Sequence, residues 1–197
     1  MAMKKIILFS QATEKNREQI LDLIFPQEIK NKILAYVPSD GANCPQKYID
    51  EWIDYAKDYK AEFNLINNST DSPEEKEKLD KANILVITGG NTFTLLRNLK
   101  KSGLDKSIKD FVLKKEFVLA GFSAGAIVLT PTISICGLPG YDENLVELKD
   151  LTGFNLVGFE VFPHYSDDKI EILQKYRATT KNEVKTITND EFIVIEP

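Results

Sequence analysis

Residues 117–125, FVLAGFSAG, place a serine between an apolar stretch of strand length and the start of a helix. The glycines on either side of Ser123 let the backbone turn sharply without a Cβ clash. A strand, the pattern G-x-S-x-G and a helix, in that order, are typical of a nucleophile elbow above the edge of an α/β sheet. This stretch therefore predicts both a class of fold and a reactive serine.

Strand-like and helix-like stretches alternate on both sides of this segment. The predicted strands are 5–9, 33–37, 62–66, 84–88, 117–120, 159–162, 184–187 and 192–195, the last two as a hairpin. The predicted helices are 16–25, 45–60, one capped by Ser72, one through Leu99, 104–114 and 169–177. This alternation predicts a three-layer, doubly wound α/β fold with a mostly parallel sheet, in one domain over residues 1–197.

Composition excludes several classes of function. The 197 residues carry a net charge of -5, which argues against a nucleic-acid partner and against an anionic membrane surface. No apolar run is long enough for a signal peptide or a membrane span, and Cys44 and Cys136 are widely spaced, so we expect a cytoplasmic protein with reduced thiols. One histidine and no CxxC pair exclude a zinc site, and we expect no metal and no cofactor.

Three motifs follow apolar strands and should meet at the carboxyl edge of the sheet. They are the turn Gly89-Gly90-Asn91, Ser123 and the only histidine, His164. We predict that His164 is the general base toward Ser123, and that the amides of Gly90 and Ala124 form an oxyanion hole. We expect Asn91 to bind substrate.

A third catalytic group, a carboxylate, should orient the histidine. The candidates between Ser123 and His164 are Asp142, Glu143, Glu147, Asp150 and Glu160. Asp142 is favoured and Glu143 is next, because both lie in an irregular segment, whereas Glu147 and Asp150 fit a solvated charged face. Tyr48, Trp52, Tyr55 and Tyr59 follow one another at helical spacing and are interpreted as core, surface or dimer packing.

Three segments together resemble the dipeptidase E and cyanophycinase family of serine peptidases. They are residues 84–96 (ILVITGGNTFTLL), 120–132 (AGFSAGAIVLTPT) and 162–165 (FPHY). The resemblance implies a flavodoxin-like fold related to the class I glutamine amidotransferases, with a serine in place of their cysteine. It also implies Ser123 as nucleophile, His164 as its base, and Gly90 and Ala124 as the oxyanion donors.

The expected function is hydrolysis of small peptides through an acyl-enzyme, and a dipeptidase fits the resemblance. An esterase or amidase with the same site, and a catalytically silent regulatory protein, are the alternatives. The family's arginine-bearing segment after the PHY motif has no counterpart in residues 166–170, since the next arginine is Arg177. Substrate specificity is therefore left open, and an exposed sheet edge is compatible with a homodimer.

Overall fold

A six-stranded, mostly parallel sheet forms the centre of the molecule in the computed structural model, which describes residues 3–197. Its strand order is β3-β2-β4-β5-β1-β8, and only β8 runs antiparallel, beside β1. The strands are β1 (Lys4–Phe9), β2 (Ile33–Val37), β3 (Glu62–Leu65), β4 (Ile84–Ile87), β5 (Phe117–Phe122) and β8 (Phe192–Ile195). The predicted α/β fold is thus confirmed. The predicted domain also includes Met1 and Ala2, which lie outside the described residues.

Helices cover both faces of this sheet. They are α1 (Arg17–Ile24), α2 (Gln46–Asp58), α3 (Pro73–Lys81), α4 (Thr92–Ser102), α5 (Leu104–Phe111), α6 (Ala124–Val128) and α7 (Ile170–Arg177). Two hydrophobic clusters result, one on each face, and alternate residues of β4 and β5 contribute to each of them. Because β4 and β5 are covered on both sides, their residues are almost all apolar, as expected for central parallel strands. Among residues 3–197, no helix has the length and apolar character needed to cross a bilayer.

The last strands do not form the predicted hairpin. Strand β7 (Val184–Thr186) pairs in parallel with β6 (Glu160–Phe162) in a separate two-stranded sheet, whereas β8 joins the edge of the main sheet. The turn over residues 187–191 therefore links the two sheets. It passes the carboxyl end of β1, and this course carries Asn189 to the catalytic edge.

Close packing at the elbow explains two of its glycines. A Cβ on Gly125 would lie 2.0 Å from the carbonyl oxygen of Ile87, and one on Gly121 would lie 2.6 Å from the carbonyl oxygen of Gly125. Real Cβ atoms do not approach backbone atoms so closely, so helix α6 can sit beneath β4 and β5 only without these side chains.

Candidate active site

Ser123 has the strained backbone of a nucleophile elbow. Its φ is 51° and its ψ is -116°, in a region that L residues rarely adopt, and its amide donates to the carbonyl of Phe9 at 3.0 Å. Such conformations cost about 1–3 kcal/mol and persist where the surrounding packing enforces them. Ser123 is partly exposed at the carboxyl end of β5, between this strand and α6.

A pair of substitutions should reveal this strain in the free energy of unfolding. Ser123→Gly and Ser123→Ala both remove the hydroxyl, but glycine adopts positive φ without a Cβ clash. We expect the glycine variant to be more stable than the alanine variant by about 1 kcal/mol. Urea unfolding of the two variants measures the difference, and equal midpoints with equal slopes would mean that the elbow stores no strain.

His164 meets Ser123 across the catalytic edge. Its Nε2 lies 2.9 Å from the Ser123 hydroxyl oxygen, within hydrogen-bonding distance. Its backbone is held on both sides: the His164 amide donates to the Ser10 hydroxyl at 2.9 Å, and Lys169 Nζ donates to its carbonyl at 2.6 Å. Ser10 in turn donates to the carbonyl of Ile187 at 2.9 Å, so the end of β1 ties His164 to the turn after β7.

Asn189 occupies the place expected for the acid. Its Oδ1 lies 2.7 Å from His164 Nδ1. Since an amide oxygen can only accept, Nδ1 carries the proton and the lone pair of Nε2 faces the Ser123 hydroxyl. Asn16, which is buried, donates from Nδ2 to the Asn189 carbonyl at 3.2 Å and anchors the turn. The side chain in contact with Nδ1 is therefore a neutral amide and not a carboxylate.

The structure corrects the prediction that Asp142 orients the histidine. Asp142 Oδ2 accepts from the Thr92 amide at 2.7 Å and from the Thr92 hydroxyl at 2.5 Å, at the N-terminus of α4. There it satisfies an amide that lacks a helical partner and faces the positive end of the helix dipole. Both ring nitrogens of His164 are meanwhile occupied by Ser123 and Asn189.

The other candidate carboxylates also have different partners. Buried Glu160 accepts from Tyr176, Thr180 and Asn182. Lys100 pairs with Asp150 at 2.7 Å and keeps the pKa of that carboxyl below its usual range. The backbone carbonyl of Glu143 accepts a hydrogen bond from the Asn91 side chain. In the described structure, neither Glu143 nor Glu147 forms a hydrogen bond with the His164 ring.

The two predicted oxyanion donors lie on either side of the serine: Gly90 is in the turn after β4, and Ala124 is the first residue of α6, directly after Ser123. A Cβ on Gly89 would be 3.1 Å from that of Ser123, so the turn after β4 packs directly against the elbow. Gly90 has a φ of 130°, a conformation suited to glycine. Within residues 3–197, neither the Gly90 amide nor the Ala124 amide donates a hydrogen bond to another group. Both are therefore free to receive a substrate oxygen.

Asn91 begins α4 as its N-cap. Its Oδ1 accepts from the Thr94 amide at 2.9 Å, and its Nδ2 donates to the Glu143 carbonyl at 2.9 Å. This side chain therefore fastens the 142–143 segment to the turn that carries Gly90. Its predicted contact with substrate stays a prediction.

The two cysteine thiols are poorly suited to act as nucleophiles. Burial raises the pKa of Cys136 to about 12, and burial also raises the pKa of Cys44 above its ordinary value. Since the thiolate is the reactive form, both side chains stay protonated near neutral pH.

An aromatic cavity of about 440 Å³ opens beside the Gly89-Gly90 turn. Its walls include Tyr36, Tyr48, Trp52, Tyr55 and Phe122, and three of these belong to the aromatic series of α2. The sequence-based interpretation of that series as packing residues alone is therefore too narrow. Helical spacing shows that the aromatic rings share a face, but only the fold shows that this face borders the site.

Residues 6–197 match the description of peptidase family S51. The chain belongs to this family. Family membership makes it a serine-type peptidase, and it confirms the resemblance to dipeptidase E.

Relatives match over most of their length. The uncharacterized peptidase PM1590 of Pasteurella multocida is 30% identical over 200 residues, covering 98% of this chain and 94% of its own. Peptidase E of a Nostoc species is 27% identical, covering 98% of this chain and 76% of its own. A crystal structure of a Listeria monocytogenes protein, described as a candidate peptidase E, superposes with a TM-score of 0.78 at 28% identity, covering 99% of this chain and 95% of that one.

Proposed function

We propose that this S51 peptidase hydrolyses small peptides through an acyl-enzyme, with Ser123 as nucleophile, His164 as base and acid, and Asn189 as the orienting group. The observation that carries the proposal is the 2.9 Å contact between the Ser123 hydroxyl and His164 Nε2. A serine hydroxyl is a weak nucleophile at neutral pH and needs such a base.

In the first half of the reaction, Ser123 Oγ attacks the carbonyl carbon of the scissile bond while its proton passes to His164 Nε2. The resulting oxyanion accepts hydrogen bonds from the amides of Gly90 and Ala124. As the intermediate collapses, the carbon–nitrogen bond breaks and Nε2 returns the proton to the leaving amine. Water then attacks the acyl-enzyme by the same route and releases Ser123.

Asn189 acts through the histidine and does not touch the substrate. Its Oδ1 holds the Nδ1 proton during both steps, which keeps Nε2 available. A neutral amide stabilises the transient imidazolium less than a carboxylate would, because its hydrogen bond is not charge-assisted. We therefore propose that this site uses the triad mechanism but reacts more slowly than a site in which a carboxylate contacts the histidine.

The proposed compartment is the cytoplasm, where reduced thiols are the usual state of cysteine. Cys44 and Cys136 are free thiols in the structure.

Covalent labelling tests the proposal without knowledge of the substrate. A fluorophosphonate should modify the protein once, and peptide mapping should place the adduct on Ser123. Ser123→Ala should prevent the reaction in a protein that is still folded by circular dichroism. Absence of an adduct on the folded wild-type protein would contradict the proposal and favour the silent member of the fold. Matched peptide and ester substrates then separate a peptidase from an esterase.

A further inference from the structure

The cavity beside Gly90 has an apolar wall that leads to carboxylates. Its aromatic rings pack on one another: Trp52 lies 5.4 Å from Tyr36 between ring centroids and 5.6 Å from Tyr55, where the rings meet edge to face. Its volume of about 440 Å³ falls in the range of roughly 300–1,000 Å³ that is common for small-molecule sites. The space therefore suits one large side chain with a long apolar body.

The charge of the cavity is negative. Asp40 and Glu51 line it, and both are exposed. Within the described chain, the residues that line the cavity include no Lys, Arg or His, and no ion pair involves either carboxylate. Lys47 Nζ lies 4.7 Å from the ring centroid of Tyr48 but forms no described ion pair with Asp40 or Glu51, so a positively charged ligand would supply an ion-pair partner for these carboxylates.

Glu51 is aimed by a neighbour on its own helix. The Tyr55 hydroxyl donates to Glu51 Oε1 at 2.5 Å. Burial, together with the Glu51 carboxylate, raises the pKa of Tyr55 to about 12, so this hydroxyl stays a donor throughout the neutral range. Aromatic faces attract cations as well, so rings and carboxylate favour the same kind of group.

Position relates the cavity to the reaction. Gly89 and Gly90 line it on one side, and Phe122, the neighbour of Ser123, lines it on another. A carbonyl oxygen held by the Gly90 amide would therefore carry its substituent next to the cavity mouth.

From these features, and resting on the proposed function, we infer that the cavity binds the side chain of the residue whose carbonyl is attacked, and that it selects lysine or arginine there. The apolar stem lies along Trp52 and Tyr36, and the cationic tip reaches Glu51. An acidic side chain is disfavoured in this cavity, because it would face the like charges of Asp40 and Glu51.

Reactive phosphonates test this selectivity without turnover. Diphenyl phosphonates that carry the side chain of lysine or of norleucine differ only in the ammonium group. Phosphonylation of Ser123 forms the serine–phosphorus bond and expels phenol. We expect the lysine probe to react about tenfold faster than the norleucine probe, and an aspartate probe to be slower than both.

Matched variants assign the effect to Glu51. Glu51→Gln should reduce the rate of the lysine probe to that of norleucine and leave the norleucine rate unchanged. Asp54→Asn removes a charge from an exposed position of the same helix that does not line the cavity, and should preserve the tenfold preference.

A plain fluorophosphonate separates the two proposals. If it labels Ser123 while the lysine and norleucine probes react equally, or while aspartate reacts fastest, the inference about the cavity is wrong and the proposed function stands. A lysine preference that survives in Glu51→Gln would equally overturn the role of Glu51. If no probe labels Ser123 in folded protein, the proposed function itself fails.

Discussion

Replacing His164 by asparagine is expected to lower kcat/KM by about 10⁴-fold or more, because Ser123 then loses the base that takes its proton. The fold should persist in this variant. His164 has a φ of 55°, and asparagine is among the few residues that adopt such left-handed backbone readily. Progress curves with a peptide or with a phosphonate probe measure the loss, and the unfolding midpoint should stay close to that of the wild type.

Chemical rescue distinguishes a catalytic role of His164 from a structural one. His164→Gly also tolerates the positive φ and leaves a space beside the Ser123 hydroxyl. Added imidazole should restore part of the activity of this variant and none of the activity of Ser123→Ala. Activity within tenfold of the wild type in both His164 variants would contradict the assignment of the base.

Much of the catalytic edge can be predicted from local sequence. Residues 117–125 combine an apolar strand with glycines at the two positions where the backbone of α6 touches β4 and β5. A nucleophile elbow requires these close backbone contacts, so the G-x-S-x-G pattern by itself predicts the local geometry. His164 could be predicted as the base because it is the only histidine in the sequence. The structure places its ring within hydrogen-bonding distance of Ser123.

Asn189 could not be found in the same way. The prediction placed a carboxylate between the serine and the histidine, whereas the side chain that contacts His164 Nδ1 follows both in the chain and is an amide. Its position depends on β7 and β8 joining different sheets, and on Asn16 and Ser10, which are more than 170 residues away in sequence. The local signal, two apolar runs separated by a polar turn, equally fits the hairpin that was predicted.

Asp142 was predicted as the acid but has a different place in the structure, at the N-terminus of α4. Its segment is irregular, which is compatible with a catalytic loop, but an aspartate that the fold brings to the N-terminus of a distant helix can equally accept from the first amides of that helix. The choice between these roles depends on where residues 132–155 fold back. Asp142 and the Glu143 carbonyl lie at the start of α4, whereas the Tyr141 hydroxyl donates to the carbonyl of Pro163, the residue before His164, at 3.0 Å. The aromatic residues of α2 could be predicted only in part for the same reason. Their spacing shows that they share one face of the helix, but which part of the protein this face borders depends on the fold.

Substitution of Asn189 is expected to change the rate in both directions. Asn189→Leu keeps the size of the side chain but removes the acceptor for Nδ1–H, so the imidazole can adopt the wrong tautomer. We expect kcat to fall by about 10²-fold. Asn189→Asp keeps the acceptor and adds a charge that stabilises the imidazolium, and here we expect kcat to rise about tenfold, the difference between a neutral and a charge-assisted hydrogen bond.

A charge-matched variant makes the second expectation specific. Asn155 is exposed and outside the site, so Asn155→Asp changes the net charge equally and should leave the rate unchanged. If Asn189→Asp behaves like Asn155→Asp, and Asn189→Leu retains full activity, then Asn189 is a neighbour of the imidazole and not its orienting group. If the rate rises in Asn189→Asp while Asn189→Leu keeps full activity, the backbone turn between β7 and β8 already orients His164. The native site would then lack only the negative charge that a carboxylate provides.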